Sequence, residues 1–366
     1  MPPTQDDLCP KSEPMGRADA ASVHVERVLT IAEGHAAGSS DDEVAPSWRR
    51  SANVHRVDPE SGEPPRILTN GELQALREPL AKLIADARDE VDHLYRIVRQ
   101  AHYTVLLCNV QGVAVDHRGN EAEADQFRYW GTWLGGVWAE EAEGTNGIGT
   151  CIAEERAVTV HRTQHFRARN ITLSCSGAPI FDTGGDFAAV LDVSSIDPQL
   201  SEASHALTGA LTETSARAIE ERCFRERFRR EWIVAVAAPD RVGSGMLLAV
   251  DQDQRIVGAD RPARTMLTRK GYDIQAGVSL WALFEPDPAL FRHKDRGDIA
   301  TQVVLAGTSE LCPGLVTPPD PASGAWRNAA MARFHTRPRL EGVRGLRPSA
   351  PPRGRAAACR RERCGG

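Results

Sequence analysis

Three cysteines and two histidines are the residues of this sequence whose types are best suited to chemistry. Cys108, Cys151 and Cys175 occur in one stretch of apolar runs and turns, which also contains His161 and His165. Free thiols in such runs mostly serve as small buried apolar residues. The sharper alternative is a redox thiol or a metal-bound sensor, since zinc prefers thiolate and imidazole ligands. Because His161 is predicted to end a strand, the two imidazoles are not expected on one helix face, and no metal or cofactor is assigned.

Aromatic residues beside glycines form a second candidate site, in RYWGTWLGGVWAEEAEGTNGIGT. Tyr129, Trp130, Trp133 and Trp138 have irregular spacing, which suits the wall of a small-molecule pocket. A core plug under a long loop is an equally good interpretation. Asp192 interrupts the apolar run AAVLDVSS. A buried carboxylate needs a partner, which here is a backbone donor, an arginine or a ligand.

Several enzymatic classes lack their motifs. A phosphate-binding loop of the GxxxxGK[ST] type is missing, because none of the four lysines follows a glycine. The segment Gly144–Gly149 is not GxGxxG and follows no recognisable strand, so its glycines are predicted to allow a tight turn and close packing at a helix start. No Ser-His-Asp order and no paired carboxylates stand out.

The elements that must position these residues form an α+β domain. An apolar stripe at steps of three and four predicts one helix over 72–101, with Pro79 near its start or at a kink. Hairpins are predicted over 104–116 and 172–196 and a strand over 157–161. A helix is predicted from the Asp197-Pro198 cap to about Arg230. Helices that flank an antiparallel meander indicate an α+β fold rather than a parallel doubly wound one.

Two further regions have weaker patterns. Residues 23–37 are predicted to form a short helix. Residues 245–267 predict strand, turn, strand and helix, which begins a second, smaller α+β unit.

Length and composition set the class of protein. A chain of 366 residues with 41% apolar and 26% charged residues is globular, with two or three domains. It has no apolar run long enough for a membrane span and no secretory signal, so a cytoplasmic location is expected. Residues 337–366 carry nine arginines and two glutamates, whereas the remaining residues have a net charge of −13. An acidic body gives no electrostatic footprint for nucleic acid.

Five segments together are similar to one protein family. WAEEAEGTNGIGT, VTVHRTQHFRARN and SCSGAPIFDTGGDFAAVLDVSS resemble the GAF sensor domain of acetoin-catabolism-type, sigma-54-dependent bacterial activators. SWRRS (Ser47–Ser51) and the VDP after it resemble the N-terminal region of that family, and residues 245–267 resemble a PAS domain. The likeness covers about residues 23–335.

The resemblance implies a non-enzymatic cytoplasmic regulator that senses an acetoin-like metabolite, a short alcohol or a diol. The expected organisation is a disordered N-terminus (1–22), a helix and loop (23–71), a GAF domain with flanking helices (72–230), a PAS-like domain (231–335) and an irregular Arg/Pro-rich tail (336–366). A homodimer through helices 72–101 and 200–230 is expected. The candidate pocket residues, chosen as polar or aromatic within the family segments, are Trp138, Glu141, Thr145, Asn146, Cys175 and Asp192.

The sequence departs from the family at its effector region. It has no Walker lysine, no polymerase-contacting loop and no recognisable helix-turn-helix, so DNA contact is expected only through an effector domain missing from this chain. The tail is either a basic arm for nucleic acid or an acidic partner, or out-of-frame translation of GC-rich DNA. Frameshift or truncation is the favoured interpretation. Two rival functions stay open: a GAF-fold thiol enzyme such as a free methionine sulfoxide reductase, and a standalone dimerising scaffold with an empty pocket.

Overall fold

The computed structural model describes residues 17–35, 43–237, 245–273, 277–287, 290–291, 298–309 and 311–320. The predictions for residues 1–16 and for the tail 336–366 fall outside this range. The α-helices are α1 (Arg17–Ala32), α2 (Ala45–Asn53), α3 (Asn70–Arg77), α4 (Ala81–Val98), α5 (Ala124–Trp130), α6 (Glu140–Glu143), α7 (Gly147–Glu154), α8 (Glu202–Arg227) and α9 (Arg261–Arg269). The strands are β1 (Tyr103–Cys108), β2 (Ala114–Arg118), β3 (Val158–His161), β4 (Ser174–Phe181), β5 (Phe187–Ser195), β6 (Trp232–Ala237), β7 (Gly245–Val250), β8 (Ile256–Ala259), β9 (Ile299–Val304) and β10 (Leu311–Thr317).

The strands form two antiparallel sheets, and the predicted α+β class is confirmed. The first sheet has the order β2-β1-β5-β4-β3 and contains both predicted hairpins. The second has the order β8-β7-β6-β10-β9. After β6 come the strand β7, a turn, the strand β8 and the helix α9, which is the order expected over 245–267. Whether this unit is functionally a PAS domain stays a prediction.

Three helix bounds differ from the predicted ones, each for a local reason. The predicted helix over 72–101 is two helices, since Pro79 has no N–H to donate and the chain turns between α3 and α4. α8 begins at Glu202 because the Ser201 hydroxyl caps it by accepting from Ser204 N, while Asp197 accepts from Gln199 N in the loop before it. α1 starts at Arg17, inside the stretch predicted to be disordered, because alanine favours helix.

Each face of the first sheet is covered by a different group of helices. α4 and α8 cover one face, and their shared core includes Val91 and Leu94 of α4, Leu107 of β1, and Ile219 of α8. The apolar stripe of α4 is therefore used inside its own domain. The other face is covered by α1, α2 and α7, whose core includes Trp48 and Ile148. No helix among the described residues is long and apolar enough to cross a membrane.

Candidate ligand-binding site

A fully buried carboxylate lies on β5, on the sheet face that α1, α2 and α7 cover. Asp192 is opposite Leu106 of β1 and Gly177 of β4, and its side chain has no solvent exposure. Its Oδ2 accepts a hydrogen bond from the Ser194 hydroxyl at 2.5 Å, whereas its Oδ1 has no partner within the described chain. Burial raises the pKa of this carboxyl to about 7. The unpartnered oxygen is therefore an acceptor that a hydroxyl-bearing ligand can satisfy.

Cys175 lies beside Asp192 and connects it to a histidine. Its Sγ is 3.2 Å from Ser194 Oγ and 3.4 Å from His165 Nε2. His165 Nδ1 lies 2.9 Å from the carbonyl of Arg162, which only accepts, so Nδ1 carries the proton. Burial lowers the pKa of His165 to about 3, which keeps the imidazole neutral. Its Nε2 is then an acceptor for the thiol hydrogen of Cys175.

Three of the four cysteines of the first domain are fully buried, and all four are free thiols. Cys108, Cys151 and Cys175 are at most 2% exposed, and burial raises the pKa of each thiol. Among the described residues, no group of three or more His, Cys, Asp or Glu side chains could hold a metal ion. His161 instead pairs its Nδ1 with Ser174 Oγ at 2.8 Å. The cluster thus offers neutral thiols and hydroxyls around Asp192.

Asn146 is a structural cap that positions α7 over the site. Its Oδ1 accepts from the N–H groups of Ile148 and Gly149 at 2.9 and 2.8 Å, and its Nδ2 donates to the carbonyls of Trp138 and Gly144. Its side chain is therefore fully engaged. A Cβ at Gly147 would lie 2.8 Å from Cys175 Cβ and 3.1 Å from Asp192 Oδ1. Glycine at 147 lets the start of α7 pack directly against these two side chains.

A second buried polar cluster fastens α2 to the loop before α7. The Ser47 hydroxyl donates to Glu140 Oε1 at 2.7 Å and lies 2.6 Å from Thr145 Oγ1 and 3.0 Å from Thr150 Oγ1. Arg50 binds both carboxylate oxygens of Glu140 at 3.0 Å. Trp48 is fully buried and donates its Nε1–H to the carbonyl of Gln164. The SWRRS segment thus forms part of the wall of the site.

Five of the six predicted pocket residues fall into three groups, and the sixth lies apart from them. Cys175 and Asp192 lie together, Thr145 and Asn146 position the loop beside them, and Trp138 is a buried wall residue that donates to the carbonyl of Gly131. Glu141 is exposed and does not join the cluster. The carboxylate that does so is Glu140, which is 3% exposed. The two glutamates point in different directions because they are successive residues of a helix. The sequence does not show which one points inward, because the helical segment is too short and too glycine-rich.

The other aromatics form no hydrogen bond to this polar cluster among the described residues. Trp133 belongs to a small core with Ala124 and Phe127. Tyr129 is 68% exposed, and Trp130 is partly buried. Trp133 is therefore a core residue under a loop, as the second interpretation of the aromatic segment had it. His165 and Ser194 were missed by the sequence reasoning as members of the site, although Ser194 is two residues after Asp192 and therefore lies on the same face of β5.

Comparison with known proteins gives one family match and several relatives. Residues 87–219 match the GAF domain family. The acetoin catabolism regulatory protein of Cupriavidus necator is 37% identical over 224 residues, which are 60% of this chain and 34% of that protein. The acetoin dehydrogenase operon transcriptional activator AcoR of Bacillus subtilis is 24% identical over 248 residues, 65% of this chain and 40% of that protein. The chain thus spans between a third and two fifths of the length of these relatives.

Among solved structures, the crystal structure of the E. coli DhaR(N)–DhaL complex aligns with a TM-score of 0.45 and 14% identity, covering 76% of this chain and 99% of that chain.

Proposed function

We propose that this chain, whose residues 87–219 form a GAF domain of the acetoin-regulator type, is the small-molecule-sensing part of a transcriptional regulator. The names of the relatives support a regulatory role in acetoin metabolism. The ligand is an acetoin-like hydroxyketone, a short alcohol or a diol. A regulator of this type works in the cytoplasm. The described residues sense the ligand and do not themselves bind DNA.

The unpartnered Oδ1 of Asp192 is the observation that carries the proposal. The ionised carboxylate accepts at Oδ1 and the protonated form can donate there, so a neutral hydroxyl, which both donates and accepts, partners either form without adding charge to an apolar site. The thiol of Cys175 and the hydroxyl of Ser194 lie next to it and give a second polar contact for a small ligand. An apolar wall with a few converging polar groups is the usual character of a small-molecule site.

The mechanism is a shift between two arrangements and involves no reaction. A ligand at Asp192 changes the packing of the sheet and so of α4 and α8, which cover its other face. It does so only to the extent that it binds one arrangement more tightly. A homodimer through α4 and α8 belongs to the same proposal. Since the apolar stripe of α4 is covered, pairing would use outer-face residues such as Ile97 and Leu207, which are 50% and 74% exposed.

The thiol-enzyme alternative is disfavoured by the state of the cysteines. A nucleophilic or redox cysteine works as a thiolate in an accessible, electropositive setting. Cys175 is 2% exposed, and the Asp192 carboxyl beside it further raises its pKa. Cys108 and Cys151 are equally buried. These thiols are suited to lining a pocket rather than to attacking a substrate.

Thermal shift and calorimetry with acetoin, butanediols and short alcohols test the proposal. The wild-type chain is expected to gain melting temperature with one of these compounds. Asp192→Asn, which replaces one carboxyl oxygen with an amide donor and removes the ionisable acceptor, is expected to reduce that gain. Glu141→Gln on the exposed face should keep it. Asp260→Asn is the matched control, because Asp260 is also a mostly buried carboxyl whose pKa burial raises to about 7, yet it caps α9 outside the site.

Three results would oppose the proposal. Equal loss of the gain in Asp192→Asn and Asp260→Asn would mean that stability, not the site, is measured. An undiminished gain in Asp192→Asn would place the ligand elsewhere. No gain with any compound would favour the scaffold with an empty pocket.

A further inference from the structure

Strand β4 lies between the candidate site and the helix that leaves the domain. Its side chains alternate, so Cys175 faces Asp192 while Ser176 faces α8. Ser176 is also opposite Val193 of β5, the residue after Asp192. A displacement of β4 at Cys175 is therefore felt one residue later, on the opposite face, by whatever contacts Ser176.

A buried histidine of α8 contacts Ser176, whose hydroxyl also lies 3.2 Å from Thr159 Oγ1 of β3. His205 has no solvent exposure, and its Nε2 lies 3.2 Å from Ser176 Oγ. Its Nδ1 lies 3.1 Å from the hydroxyl of Tyr103 on β1, which also receives Thr208 Oγ1 at 3.3 Å. A neutral imidazole offers one donor and one acceptor, which matches a hydroxyl on each side. Burial lowers the pKa of His205 to about 4, which keeps it neutral.

These bonds set the register of α8 on the sheet. Further along α8, the buried residues include Ala216 and Ile219. Their apolar contacts are not directional, so they restrain the position of the helix along the sheet only loosely. Directed bonds from one imidazole to two different strands fix it far more closely. Tyr103 and His205 also stack, with ring planes 7° apart.

The same contact has room for α8 to move. A Cβ at Gly209 would lie 2.5 Å from Thr159 Oγ1 and 3.3 Å from Ser176 Oγ, so the helix approaches the sheet closely here. Yet a cavity of about 340 Å³ adjoins this point and is lined by Thr159, Ser176, Gly209 and their neighbours. Close approach on one side and open space on the other allow α8 a second position.

We propose that His205 is the positioning residue that couples the candidate site to α8, through its bond to Ser176 of β4. The inference rests on the proposed sensing function, and it names the route by which the site would control the output helix. When β4 shifts at Cys175, the hydrogen bond between Ser176 and His205 moves the start of α8 with the strand. Without the imidazole, α8 keeps its apolar packing but no longer follows β4.

Hydrogen exchange of α8 in the full chain tests this without any ligand. Cys175→Ala removes the contacts of β4 with Ser194 and His165, and we expect it to raise exchange over residues 205–215 about three-fold or more. Cys108→Ala is the matched control, because it deletes an equally buried thiol of the same sheet face from β1. It is expected to leave the exchange rates of α8 unchanged within experimental error. In a His205→Leu background, the response to Cys175→Ala should vanish.

Two more variants separate coupling from general stability. His205→Gln retains an amide that reaches Ser176, and it should restore part of the response. Thr212→Val removes a buried hydroxyl of α8 that donates to the carbonyl of Thr208 within the same helix, and it should leave the response intact. If His205→Leu does not fold, Ser176→Ala removes the same bond from the strand side.

The proposal is overturned if Cys175→Ala does not affect α8, if its effect is the same with and without His205, or if Thr212→Val also abolishes it. Its failure is distinct from that of the proposed function, because a negative thermal shift with acetoin and diols leaves this exchange measurement unaffected.

Discussion

Arg50 of α2 donates two parallel hydrogen bonds to the carboxylate of Glu140 in α6, although ninety residues separate them in the chain. The carboxylate is 3% exposed and the guanidinium 28%. The same Arg50 reaches Glu154 at 3.2 Å, so one cation holds both ends of the segment from α6 to α7. The region before the GAF family match thus completes the wall of the domain.

Loss of this cation should cost far more than loss of a surface arginine. Arg50→Ala leaves Glu140 buried without its counter-ion, and we expect the free energy of unfolding to fall by about 2–4 kcal/mol. The loss is smaller than for a fully buried ion pair, because Arg50 is partly solvated. Arg66→Ala is the control, since its pair with Glu72 is exposed to solvent and is expected to contribute little to stability. Urea unfolding measures both, and equal effects would contradict the assignment of the pair as part of the core.

Gly149 is expected to tolerate no side chain. A Cβ there would lie 2.5 Å from the amide nitrogen of Glu140 and 2.6 Å from the carbonyl oxygen of Trp138, and backbone atoms cannot rotate away. Gly149→Ala should therefore lower the unfolding free energy by about 3 kcal/mol or more. Gly71→Ala in α3 meets nothing within 4 Å and should instead raise it by about 0.5 kcal/mol. A mild effect at Gly149 would mean that the loop can move away from α7.

The fold could be predicted largely from local patterns. The hairpins around Gly112 and Gly185 follow from alternating strands and turn residues, and both glycines have positive φ. The break at Pro79 was only half anticipated, because proline marks a disruption but does not say whether the helix starts there or stops. The cap of α8 at Ser201 was missed because Asp197-Pro198 offers an equally good local signal.

The site was harder to predict, because its members are brought together only by tertiary packing. The interruption of an apolar strand identified Asp192, and its burial is confirmed. Whether Glu140 or Glu141 faces inward depends on how α6 packs against Arg50, which lies in a distant part of the sequence. His165 was noticed only as a possible metal ligand, because nothing local shows that its ring reaches Cys175.

Stability should depend on pH through Asp192 with a definite sign. The pKa of its carboxyl is about 7 in the folded chain against an ordinary value of 3.8. Between these values the folded state keeps a proton that the unfolded state releases, so this group makes stability fall as pH rises from about 4 to 7 and adds no further change above that. Asp192→Asn should therefore gain stability relative to wild type, by up to about 4 kcal/mol, between pH 4 and pH 8.

Urea unfolding of both proteins across this range measures the difference, in which other titrating groups cancel. His165 and His205 act in the opposite direction, because their lowered pKa values cost stability as pH falls below about 6.5. A wild-type profile alone would mix these effects. A difference curve that is flat between pH 4 and pH 8 would show that Asp192 ionises normally in the folded chain.

Peptide-resolved alkylation decides directly between a pocket lined with thiols and a thiol enzyme. Alkylation needs thiolate and access, and burial raises the pKa of Cys151 and Cys175 while covering their Sγ atoms. In native buffer at pH 8, both should react with iodoacetamide at least about a hundredfold more slowly than in urea, since reaction must await local opening. Cys223 on α8 is only half-buried, and it is the internal control that should be modified before Cys151 and Cys175. If Cys175 instead reacted as fast as Cys223, the thiol would be open and ionisable, and the enzyme alternative would displace the sensor.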